Sequence, residues 1–231
     1  MAHSRRVNKK MLTSPASSNG GLSDWAYERI LDLVLEGQLV AGTVLQERRI
    51  AEALNISRTP VREALSRLEA EGLVKRQIGR LMTVTEITVQ QYIDVLNVRK
   101  VLESEAAGLA AGQVSAPLIE KMRRAVEDLR KKDNPTVSEH WAVDDLIHLT
   151  IAAATKNQCL ETIIRDLRRR TRIFNTHRIP SRLHPGAAEH LALIEAIATG
   201  DQEQSRALMA KHLENAKLAI INQLAATGRA A

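Results

Sequence analysis

Asp144 and His148 stand four residues apart in a stretch with helical apolar spacing, so their side chains share one helix face. His190 and His212 fall in two later segments of the same kind. Three imidazoles and one carboxylate make a donor set for a divalent metal ion; zinc suits it foremost, and nickel, manganese and iron are also compatible. Spacing alone does not bring three helices together, and each histidine taken singly also reads as a packed or exposed side chain. Asp145, His140, His177 and His184 are lesser candidates. Open positions on such an ion suit two chemistries. One is water activation, which would make the chain a metal-dependent enzyme acting on a small carboxylate, with its N-terminal part as an accessory module. The other is ligation of a small carboxylate that is sensed, not consumed. The enzyme reading needs a general base and a substrate channel, and no motif supplies either; the expectation is therefore of a non-enzyme.

A second set of reactive side chains is cationic. Val61, Ala64, Leu65 and Leu68 recur at i, i+3, i+4 and i+7 as one apolar stripe, and Arg58 and Arg62 lie one turn apart on the other side. Ser57 or Thr59 can cap this helix, and Pro60 falls in its first turn, where no N–H is needed. A helix buried by one face and led by arginines on the other can enter a DNA major groove, where guanidinium forks meet guanine edges or phosphates. An ordinary surface helix with solvated charges shows the same pattern, so its neighbours decide between the two. Upstream, Leu45-Gln-Glu-Arg-Arg-Ile-Ala-Glu-Ala-Leu54 is a short amphipathic segment joined through Asn55, as in a helix-turn-helix. Downstream, Leu73-Val-Lys-Arg76 and Leu81-Met-Thr-Val84 flank Gly79 as two strands and a basic turn, in other words a wing.

The remaining chain must position these groups. Only 2% of the 231 residues are aromatic against 44% hydrophobic, so the core is aliphatic and helices are favoured over sheets. Residues 1–20 carry Arg5, Arg6, Lys9 and Lys10 without an acid and read as a disordered basic arm. The formal charge of +6 is concentrated towards the front: cations exceed acids by four in residues 1–84 and by two in the rest. Trp25 and Tyr27 read as packing residues, not base-stacking platforms. From 86 to 228 the expected pattern is six or so helices with short connections, an antiparallel bundle. Thr88-Val-Gln-Gln91 and Thr136-Val-Ser-Glu139 read as capping boxes. Arg168-Arg-Arg170 reads as a solvated or dimer-facing surface. No apolar run approaches the roughly 20 residues that cross a bilayer, and a single cysteine, Cys159, fits a reducing cytoplasm.

Ser57-Arg-Thr-Pro-Val-Arg-Glu-Ala-Leu65, followed by Leu68-Glu69 and Glu71-Gly-Leu73, resembles the signature of GntR-family bacterial transcription regulators. The resemblance implies DNA contacts from Arg48, Arg58, Thr59 and Arg62, and from the wing near Gly79. At the wing tip many relatives carry Asn-Arg-Gly, whereas this chain has Ile78-Gly79-Arg80. Residues 90–222 resemble the FCD ligand-binding domain of the FadR-like branch, through Arg99-Lys-Val-Leu-Glu103, Asp144-x-x-x-His148 with Asn157, His190-x-x-Leu-Ile-x-Ala-Ile197 with Gly200-Asp201, and Met209-x-x-His212. That likeness implies metal ligation by Asp144, His148, His190 and His212. Arg99 is a candidate partner for an effector carboxylate, with an i, i+4 ion pair to Glu103 as its alternative. The combined expectation is mainly α: a basic arm (1–20), a winged helix-turn-helix domain with a small hairpin wing (21–85) and a helical effector and metal-binding domain (86–228). Such a chain is expected to act as a cytoplasmic homodimer on a pseudo-palindromic DNA operator, with no membrane role. Repression is the family's commoner mode.

Overall fold

The computed structural model describes residues 21–77, 81–174 and 183–226. The basic arm, the wing tip with Gly79, His177 and the side chain of His184 lie outside the described residues. The chain divides into two compact units, one built on residues up to Ile87 together with 172–174, the other beginning at Thr88.

In the first unit, helices α1 (Leu22–Leu35), α2 (Glu47–Leu54) and α3 (Arg58–Ala70) pack around a small sheet. Three strands, β1 (Val44–Leu45), β2 (Val74–Arg76) and β3 (Met82–Val84), form that antiparallel sheet in the order β1-β3-β2. The β2–β3 hairpin is the wing read from the sequence. Strand β1 was not: two residues have no period of their own, and they are held in place by pairing Val44 with Thr83 and Leu45 with Met82 and by the burial of Leu45 in the core. The stripe Val61, Ala64, Leu65 and Leu68 is fully buried, beside Tyr27, Ile30, Leu54, Leu73 and Val84. Tyr27 packs, as expected of it, with its hydroxyl donating to Glu71 and the Arg67 guanidinium 3.7 Å above its ring. Asn55 takes the left-handed conformation at φ 54°, which turns the chain from α2 into α3 within three residues. Ser57 occupies the N-cap position of α3 without a side-chain cap bond, and Thr59 lies inside the helix.

Among the described residues, six helices belong chiefly to the second unit: α4 (Val89–Ala110), α5 (Ala116–Arg130), α6 (Val137–Ala154), α7 (Gln158–Phe174), α8 (Leu183–Thr199) and α9 (Gln202–Ala226). Both capping boxes form, Thr88 with Gln91 and Thr136 with Glu139, so two helix starts were written locally. Helix α4 lies along α9, with Lys100–Glu214 and Arg206–Glu105 ion pairs bridging them. The interior is aliphatic, with Met122, Ile147, Ile151, Ile164, Leu193, Ile194 and Ile197 fully buried. Because Thr136 satisfies an otherwise orphaned N–H of α6, Thr136→Ala is expected to lower the unfolding free energy by about 1 kcal/mol. Chemical denaturation checks this, and an unchanged midpoint would refute the cap's contribution.

Candidate metal centre and nucleic-acid interface

Helix α6 carries Asp144 and His148, α8 carries His190 and α9 carries His212, and the bundle brings the four together. One potential ligand atom from each lies within 4.8 Å of the others, and all four residues are buried. The imidazole centroids are 4.4 to 5.6 Å apart. Asp144 Oδ1 is 3.5 Å from His190 Nε2 and 3.8 Å from His148 Nε2. His140 stays outside this group, and Asp145 is engaged by Arg168 at 2.6 Å.

Carboxylates that the sequence had not tied to the metal site orient two of the rings. Glu103 on α4 accepts from His148 Nδ1 at 2.5 Å, and Glu189 on α8 accepts from His212 Nδ1 at 2.9 Å and from Asn215 at 2.8 Å. A neutral imidazole that donates through Nδ1 keeps its lone pair on Nε2. His148 Nε2 is buried with no hydrogen-bond partner among the described residues, a costly state for a polar atom unless something else binds it. Burial, reinforced by the nearby Arg168 cation, pushes the His148 imidazole down to about 4, so it is neutral and able to ligate at neutral pH. Burial opposes ionisation of Glu103, yet Arg99, His148 and Arg168 together hold its carboxyl well below the usual range. Buried imidazoles with oriented lone pairs, one carboxylate and carboxylate-backed rings form a donor set that fits a divalent cation.

Two arginines complete the environment. Arg99 is buried in an ion pair with Glu103 and donates to Thr171 Oγ1 at 3.0 Å, so the structure places it in the i, i+4 pair. Arg168 requires a correction. The arginine run reads as a solvated or dimer-facing surface, but Arg168 is only 3% exposed within its own chain. Its Nη2 donates to Asp144 at 2.8 Å and to Asp145 at 2.6 Å, and its Nη1 has no hydrogen-bond partner among the described residues. Buried Asp144 and half-buried Asp145 make its inward orientation favourable, and they lie 24 and 23 residues away, beyond any local period.

In the first unit, the front of α3 is open. Arg58, Thr59 and Arg62 are exposed on the side opposite the buried stripe, and Arg48 is exposed on α2. Arg48, Glu52, Asn55, Ser57 and Arg58 line a shallow groove. Glu47, at the start of α2, pairs with both Arg58 and Arg62, and those hydrogen bonds, Arg62 first, hold its carboxyl below the usual range.

Residues 22–84 match the family model described as bacterial regulatory proteins, gntR family, and residues 94–215 match that of the FCD domain. The chain is similar to the Uxu operon transcriptional regulator of Escherichia coli (strain K12), 31% identical over 212 residues, covering 81% of this chain and 82% of that one. It is also similar to the HTH-type transcriptional regulator LutR of Bacillus subtilis (strain 168), 28% identical over 209 residues, 79% of this chain and 94% of that one. Among solved structures it shares the fold of E. coli McbR/YncC, with a TM-score of 0.76 at 24% identity over 88% of this chain and 98% of that one.

Proposed function

Since the chain belongs to the GntR family of bacterial transcription regulators, carries an FCD domain and is not an enzyme, we propose that it is a homodimeric repressor whose operator affinity is set by a small carboxylate bound beside a divalent metal ion. The observation that carries the reading is the buried Asp144, His148, His190 and His212 group with an unpartnered His148 Nε2 facing it. These four residues would hold the ion, zinc foremost. A cation there supplies Lewis-acid positions that take a carboxylate oxygen. The protein's own groups do the rest. Glu103 and Glu189 fix two rings in the ligating tautomer, and Arg168 offers a buried N–H that an effector carboxylate can accept. Arg99 stays a candidate in that role only if it leaves Glu103; the structure favours it as the cation that keeps Glu103 ionised.

The DNA-reading residues are Arg58, Thr59 and Arg62 on α3, with Arg48 on α2 and the wing around Gly79. Two recognition helices of a dimer would read the halves of a pseudo-palindrome. Effector binding would shift the population between arrangements of the bundle helices that favour or disfavour the operator-bound state. A coupling of about 1–3 kcal/mol would change operator affinity roughly 5–150-fold. The DNA it regulates lies in the bacterial cytoplasm, where a single unpaired cysteine is at home.

The test is to select fragments from genomic DNA with the purified protein and measure their affinity with and without small carboxylic acids, before and after chelation. The expected result is fragment binding that at least one acid alters, with the response lost when the metal is stripped. Selection of no fragment would refute the regulator reading. An operator affinity that no acid and no chelator alters would refute metal-dependent sensing alone.

A further inference from the structure

The arginines that face DNA do not stand free. Arg58 Nη2 is 3.2 Å from Glu47 Oε2, and Arg62 reaches both oxygens of the same carboxylate at 3.2 and 3.3 Å. Arg48 is paired with Glu52 at 3.3 Å. Every cation assigned to base or phosphate contact on α2 and α3 thus already carries an acid from α2. Glu47 has a structural reason to be ionised there, being the first residue of α2, where the helix dipole favours negative charge. Its side chain is 26% exposed, against 59% and 61% for the two arginines, so the carboxylate sits beneath guanidinium groups that remain reachable from solvent.

Two guanidinium groups one helical turn apart repel each other and, unrestrained, would each take any phosphate within reach. A shared carboxylate changes both facts. It draws the two forks together over one point, and it removes one unit of the patch's positive charge, on which sequence-independent attraction depends. We propose that Glu47 is a specificity-determining residue: an internal counter-ion that Arg58 and Arg62 release only for DNA offering both forks good partners at once. Glu52 does the same for Arg48 at a more exposed position. Phosphates present everywhere on duplex DNA must compete with the carboxylate, whereas a correctly spaced pair of base edges or phosphates satisfies both arginines together. Discrimination gains because the wrong sequence leaves a repelled acid beside the DNA. Exposed ion pairs are weak, so the exchange is readily reversible.

The proposal rests on α3 facing DNA, and Arg58→Ala tests that separately. Full-length Glu47→Gln is titrated against a selected genomic fragment and a random-sequence duplex of equal length, over a range of salt. The expected result is about 3–10-fold tighter binding of the random duplex at low salt and a salt dependence steeper by about one unit. These follow from one more neutralised phosphate. With operator affinity unchanged, the ratio of specific to random affinity is expected to fall by the same factor, about 3–10-fold. Glu47→Asp, which keeps the charge on a shorter arm, should leave the salt slope unchanged. If Glu47→Gln proves poorly folded by circular dichroism, Glu52→Gln, at a side chain 64% exposed, carries the test with the same direction and a smaller size. An unchanged ratio and slope would overturn the proposal while Arg58→Ala still loses the operator. Loss of operator affinity without any gain for random DNA would overturn it too, since Glu47 would then act only as scaffold.

Discussion

Replacing His148 by alanine is expected to abolish stoichiometric divalent metal binding, and Glu103→Gln to weaken it by about 10–100-fold. The first variant removes a ligand atom that is already buried, deprotonated and without a partner among the described residues. The second leaves the ligand but replaces the ionised acceptor at Nδ1 with a neutral amide, which no longer enforces the tautomer or raises the basicity of the ring. Elemental analysis of purified protein and competition against a coloured chelator read the two effects. Equal metal content in wild type and His148→Ala would remove the proposed centre. Because Glu103 also balances Arg99 and Arg168 in a buried network, Glu103→Gln is expected to lower thermal stability even in metal-free protein. The chelator-treated wild type is therefore the proper reference for it.

Arg58→Ala and Arg62→Ala are each expected to weaken operator binding by roughly 5–150-fold, the range of one bidentate base contact. Neither side chain is part of the core: the stripe that secures α3 is Val61, Ala64, Leu65 and Leu68, on the opposite face. Both variants should therefore keep the wild-type circular dichroism spectrum. The double variant should lose less than the product of the two single losses, because Arg58 and Arg62 share Glu47, and each single change leaves that acid wholly on the remaining arginine and so already weakens the other DNA contact. Gel-shift titration of the selected fragment decides it. Wild-type affinity in both single variants would remove α3 as the reading helix.

Much of this molecule was legible before its fold was known, and the reason is periodicity. A buried stripe at i, i+3, i+4 and i+7 marked α3, and side chains reaching back three residues marked the starts of α4 and α6. The four-residue step also placed Asp144 and His148 on one face. What lay further apart needed an argument from resemblance. His190 and His212 joined Asp144 and His148 through the FCD likeness, not through any property of their own segments.

Helix faces, helix ends and the Asp144–His148 step are thus properties of short windows, because the backbone repeats every 3.6 residues and caps act within one turn. Partners across the fold have no such signal. Glu103 reaches His148 over 45 residues, Arg168 reaches Asp144 over 24, and β1 pairs with β3 across the intervening α2, α3 and β2. Arg168 shows the difference best. Its own neighbours are arginines, which describe a surface, while the buried acids that draw it inward exist only in three dimensions. Coulomb attraction in a low-dielectric interior depends on distance through space, and the sequence records distance only along the chain.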